Sequence, residues 1–166
     1  MRIRHSLALF LAVAALATGC GEKATPDAWE PDEALRRADE TLQKSDVAVT
    51  VTVKGTGFLA AGLEKTFDTV GERPYRFDIA CDSEESPRIS LVLSRDGAAH
   101  DRTVDVSCTA GESVRLNIPV GEPLSVHVQG APKDESAPVG VIAWQLATID
   151  PRDIKGCADD LAGCAG

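Results

Sequence analysis

Aromatic side chains are scarce in this chain of 166 residues, at 4%, so any core must rest mainly on Val, Leu, Ile and Ala. Asparagine occurs once, at Asn117. Basic residues are outnumbered: 17 Lys and Arg stand against 26 Asp and Glu, for a net charge of -9. Such a surface repels phosphate backbones and gives no electrostatic route to nucleic acid. It also repels anionic headgroups, so attachment to a membrane would need an anchor rather than a basic face. The sequence has no C-x-x-C pair, no G-x-S-x-G elbow, no phosphate-cradling glycine loop and no dinucleotide fingerprint. What is present is a hydrophobic fraction of 43%, enough for one modest domain and too much for disorder throughout.

The opening, MRIRHSLALFLAVAALATGCGE, is organised as a leader. Arg2 and Arg4 form a positive n-region, and Leu7 to Ala17 is an uncharged h-region too short to span a bilayer comfortably. Small residues Ala17, Thr18 and Gly19 then run into Cys20. This stretch resembles the lipobox of bacterial lipoproteins, with Ala17 where that family prefers Leu. The resemblance implies cleavage after residue 19 and a diacylglycerol on the Cys20 thiol. Residues 1–19 carry two arginines and no acid, so their removal takes the net charge from -9 to -11. Two acyl chains, at roughly 0.8 kcal/mol per buried methylene, hold a domain stably where one would not. The competing expectation is an ordinary secretory leader that leaves Cys20 as an odd thiol in an oxidising space.

Residues 20–30 read as the lipidated N-terminus and a polar tether, with Trp29 expected to pack back on the domain rather than at the membrane interface. Residues 31–45 read as a helix: Pro31 suits the first turn, Asp32 and Glu33 favour its N-terminus, and Leu35, Ala38 and Leu42 form one narrow stripe. From residue 46 to 152 the period becomes 2. Val47, Val49, Val51 and Val53 alternate with polar neighbours as a half-buried strand. The alternation returns at Tyr75–Cys81, Ile89–Leu93, Val104–Cys108, Val114–Ile118 and Leu124–Val128. Lys65–Val70 adds a short edge strand. Val139–Ile149 is apolar on both faces and suits a central one, with Trp144 in the core. Turns at 84–87, 96–97, 110–111, 121–123 and 130–136 separate these segments. The fold expected is mainly β: an antiparallel sandwich or jelly roll of seven or eight strands preceded by one short helix.

Five cysteines, less Cys20, leave four. Cys81 and Cys108 each end an alternating strand on its apolar face, so a bridge between facing or neighbouring strands is expected there. It closes a loop of about 28 residues, worth roughly 3.5 kcal/mol in the chain-entropy account. Cys157 and Cys164 in the tail 153–166 most simply bridge each other. A straight helix would hold them about 10 Å apart, so the tail must turn. Three pairings remain open, with Cys81–Cys108 and Cys157–Cys164 favoured. A thiolate metal site is disfavoured, because His100 and His127 have no ligand spacing to match.

The strands PYRFDIAC, RTVDVSC and GVIAW (Gly140 to Trp144) resemble a group of small secreted or lipid-anchored proteins of high-GC actinobacteria that brings no activity with it. Ala34 to Gly57 looks like the opening of mycobacterial-type lipid-carrier lipoproteins, a helix followed by a long strand. Histidines His100 and His127 read as surface residues, and the acidic groups at Asp82, Glu84 and Glu85 and at Asp159 and Asp160 as solvated turns without EF-hand spacing. The expectation is a membrane-held extracytoplasmic protein that is no enzyme, needs no cofactor and engages an envelope protein or ligand. A carrier of an apolar ligand between sheet and helix comes second, and an envelope hydrolase third.

Overall fold

The computed structural model describes residues 29–44, 47–98, 100–130, 139–154 and 161. The leader, Cys20, Cys157, Cys164, Asp159 and Asp160 lie outside the described residues.

Helix α1 spans Pro31–Gln43. Eight strands follow among the described residues: β1 Val49–Phe58, β2 Leu63–Phe67, β3 Tyr75–Ser83, β4 Arg88–Arg95, β5 Arg102–Ser107, β6 Ser113–Ile118, β7 Leu124–Val128 and β8 Gly140–Ile149. They form two four-stranded antiparallel sheets, ordered β1-β8-β3-β6 and β2-β7-β4-β5. The pairs β1–β8, β2–β7, β3–β6 and β4–β5 are nested, as in one long antiparallel hairpin rolled over on itself. This wrapping is a jelly roll, and it agrees with the fold class expected. The edge strand expected at 65–70 runs instead from Leu63 to Phe67.

The period-2 alternation places one set of side chains between the sheets. Phe77, Ile79, Cys81, Ile142, Trp144 and Leu146 of the first sheet meet Phe67, Leu91, Leu93, Val106, Val126 and Val128 of the second. Phe67, Phe77 and Trp144 form an aromatic trio, with Phe67 and Trp144 centroids 5.3 Å apart. Cys81 of β3 is bonded to Cys108, just past β5, across a Cα–Cα distance of 4.3 Å. The bridge therefore ties one sheet to the other. Leu161 is also fully buried in this core, with its carbonyl held by Arg102 Nη1 at 2.9 Å.

The outer face of the first sheet is covered by α1, which packs on β8 and β3. The buried stripe of the helix is Ala34, Ala38, Thr41 and Leu42. Leu35, expected in it, is only half-buried, because small Ala80 and Ala143 let the helix sit close through its own alanines. Beneath it lies a polar layer. Arg76 donates to both Asp78 oxygens at 2.7 and 2.8 Å, and Gln145 Nε2 donates to Asp78 at 2.8 Å. Arg37 Nε donates to Asp82 at 2.9 Å. Asp78 is fully buried and Asp82 nearly so. Asp82 is thus a buried partner of the helix, where a solvated turn was expected; the reason is that the even-numbered face of β3 is roofed by α1. Arg115 Nη2 donates to the Lys44 carbonyl and closes the helix at its C-terminus.

Candidate functional site

Strand β1 departs from the half-buried strand expected, being exposed along most of its length. Its partner register skips at Thr52: Val51 faces Ala147, whereas Val53 faces Leu146. Directly paired residues share a face, so this bulge sends Val51 to the helix side and Val53 to the inter-sheet side. The four valines therefore do not form one apolar row. Thr52 Oγ1 donates to the Leu146 carbonyl at 2.7 Å and fixes the bulge.

Past the bulge, the inward positions of β1 are Val53, Gly55 and Gly57, opposite Leu146, Trp144 and Ile142. Gly55 lies against the Trp144 indole, where a Cβ would come within 2.5 Å of Cζ2. The ring thus requires glycine here. Two glycines leave nothing on β1 to close the side of the sandwich.

Across the gap, β2 is the edge strand of the other sheet, reached by a short turn through Gly62 (φ 68°), whose Cβ would meet the Val128 carbonyl at 2.5 Å. The inward positions of β2 are Leu63, Lys65 and Phe67, paired with Val128, Val126 and Leu124. Leu63 and Phe67 are buried, while Lys65 is exposed. A lysine with a long flexible stem at an inward position leaves the core and stands at the gap.

Between β1 and β2 the sandwich therefore has an open seam, a groove of about 600 Å³ floored by Ile142 and Trp144 and flanked by Leu63 and Val53. Lys54 faces the other way, toward α1, and its Nζ pairs with Asp39 at 3.3 Å. Of the charged residues that line the groove, Lys54 and Glu64 sit at outward positions and Lys65 at an inward one, and Lys65 has no ion-pair partner among the described residues. This arrangement offers an unpaired backbone edge, apolar surface and one cation.

Of the site residues expected, Cys81 and Cys108 form a buried bridge within the core. His127 lies exposed on the outer face of the second sheet, paired across strands with Glu64 and Val92. His100 is exposed, and neither histidine is hydrogen-bonded to a serine among the described residues. No cluster of three metal-ligating side chains occurs among the described residues. Trp29 is partly buried with its indole nitrogen shielded, as expected of a side chain packed on the domain. A second recess of about 400 Å³ lies beside Arg95, Asp96 and Asp101. Arg95 is mainly structural: Nη2 donates to Thr69 Oγ1 and the Pro119 carbonyl, both at 2.9 Å, and burial holds its guanidinium below the usual arginine range.

Sequence reasoning missed Gly55, Gly57 and Lys65. The signal was present: two glycines at alternate places in a strand, and a lysine breaking the Leu63–Phe67 alternation. Among the described residues no helix is long and apolar enough to cross a membrane. No protein-family model and no curated protein matches this chain.

Proposed function

We propose that the protein is a lipoprotein anchored through Cys20 to the extracytoplasmic face of the cell membrane. Its jelly roll serves as a non-catalytic interaction module that works through the β1–β2 seam. The observation that carries this reading is the seam itself: an edge strand unpaired among the described residues, with glycine at two inward positions, beside exposed Val53 and the inward-placed Lys65. The anchoring rests on the lipobox-like run Ala17 to Cys20, and the Cys81–Cys108 bridge fits an oxidising compartment.

The carrier reading has less support. It places an apolar ligand between sheet and helix, and that layer is filled by Ala38, Leu42, Ala80, Ala143 and the Arg76–Asp78–Gln145 network.

Native mass spectrometry of the chain extracted from its host's membranes separates the two. The expected species has lost residues 1–19, carries a diacylglyceryl mass and co-purifies with a polypeptide that Lys65→Glu weakens. A stoichiometric small apolar molecule in its place would support the carrier, and a chain without acylation would remove the anchor.

A further inference from the structure

The seam also says what kind of partner fits it, on the reading that the seam is the working surface. We infer that its occupant is an extended polypeptide segment that adds to β1 as a further strand of the first sheet.

The two edges that flank the seam are not equivalent. On β2, Lys65 points inward, and an inward charge on an edge strand discourages other strands from pairing with it. On β1 the bulge is confined to Val51–Val53, which leaves Val53 to Phe58 in regular register with β8. The single charge there, Lys54, is turned to the helix side and engaged by Asp39. Among the described residues nothing on the seam side of this stretch opposes a new strand, and Gly55 and Gly57 present no side chain there. A strand paired to β1 would point alternate side chains into the seam, over Trp144 and Ile142 and toward Leu63, and the rest to the outer face near exposed Phe58.

Two features narrow the chemistry. The segment needs apolar side chains at alternate positions and no proline over about six residues, because each second amide must donate to β1. One seam-facing position should carry a carboxylate, since Lys65 of the facing sheet has no ion-pair partner among the described residues and its long stem can reach an opposite charge across the gap.

A second copy of this chain fits less well. Pairing two β1 edges over a strip about 20 Å long and about 10 Å deep buries roughly 400 Å² in all, well under the roughly 1,000 Å² of a stable dimer. It would also bring together two chains of net charge -9 or more negative. A segment of another protein, filling the seam with its side chains, meets neither objection.

The test pans a displayed random heptapeptide library on the acylated, disulfide-intact protein in detergent micelles, with Lys65→Glu protein in parallel. Enriched peptides should alternate apolar residues, lack proline and carry an acidic residue on the apolar face. Those peptides should bind Lys65→Glu protein about three- to tenfold more weakly, as the loss of an exposed ion pair plus like-charge repulsion implies, and peptides selected on the variant should prefer a basic residue there. In one resynthesised peptide, N-methylation should abolish binding at every second amide and be tolerated at the others. No enrichment, peptides without alternation, indifference to Lys65→Glu, or N-methyl sensitivity without a period of two would each overturn strand addition. Cross-links from β1 in native membranes alongside such a result would leave the interaction module standing with a different class of partner. Matching melting temperatures of the two proteins verify that the exposed Lys65 site was changed without loss of fold.

Discussion

Replacing Asp78 by Ala probes the layer that holds α1 to the sandwich. The carboxylate is fully buried, receives two hydrogen bonds from Arg76 and one from Gln145, and lies under the helix. Its removal takes two hydrogen bonds from the guanidinium of Arg76, only 5% exposed, and leaves Gln145 with the Leu42 carbonyl at 3.5 Å. Breaking a buried pair in this way costs about 3–5 kcal/mol, because the cation stays out of water after losing its two charge-assisted hydrogen bonds to Asp78. Domains of this size have roughly 5–15 kcal/mol in total, so the loss is a large share. It should lower the melting temperature by about 10–20 °C at roughly 4 °C per kcal/mol. The double variant Arg76→Met, Asp78→Leu removes both charges and fills the space with apolar atoms. It should recover at least about 2 kcal/mol of the single variant's loss, since the buried charge is gone. Urea unfolding followed by tryptophan fluorescence, on oxidised protein, gives both numbers. A single-variant loss under about 1 kcal/mol, or a double variant no better than the single, would refute the account of this layer.

Other perturbations have equally definite outcomes. Leu161→Ala should destabilise by roughly 2–5 kcal/mol, because its fully buried side chain leaves a cavity between the sheets; a urea midpoint equal to that of the parent protein contradicts its place in the core. Replacing Cys81 and Cys108 together by Ala should cost about 3.5 kcal/mol, from release of a loop with a sequence separation of 27. Matched urea curves of the two proteins decide it, and an unchanged midpoint counts against the bridge. The Asp150 carboxyl accepts hydrogen bonds from the Arg152 side chain and backbone, which hold it well below the usual aspartate range. A lowered folded pKa contributes stability that is present above the unfolded value near 4 and is lost as pH falls through the folded one. Carboxyl NMR titration should show Asp150 moving up toward the ordinary value in Arg152→Gln, and an unmoved titration would remove the pairing.

Much of the fold was legible because alternation with period 2 survives wherever one face of a strand meets a core. Tyr75, Phe77, Ile79 and Cys81 announce β3, and both cysteines fall on the apolar face where their bridge forms. The same pattern misleads about the other face. Arg76, Asp78 and Asp82 look like solvent-facing residues, yet α1 covers them, and nothing local in β3 records which element will lie above it. The helix stripe was legible as a docking face, but its partner was not. In β1 the row of valines implied a single buried face; the bulge at Thr52 is set by pairing with β8, a strand some ninety residues away (Thr52 and Leu146 are 94 apart). The seam was hidden for a related reason. Glycine at 55 and 57 and lysine at 65 become a site only because the rolled topology makes β1 and β2 edge strands on the same side of the molecule.

The central claim is that the β1–β2 seam is the surface by which the protein meets its partner. Photo-cross-linking in the host's own membranes tests it most directly, with a photoreactive residue at the exposed, seam-facing Val53 on β1 or at Asp105 on β5, an exposed edge position on the far side of the second sheet. The account predicts one discrete adduct from position 53, lost when Lys65→Glu is added, and none from Asp105. Equal adducts from both positions, or adducts from Asp105 alone, would contradict it.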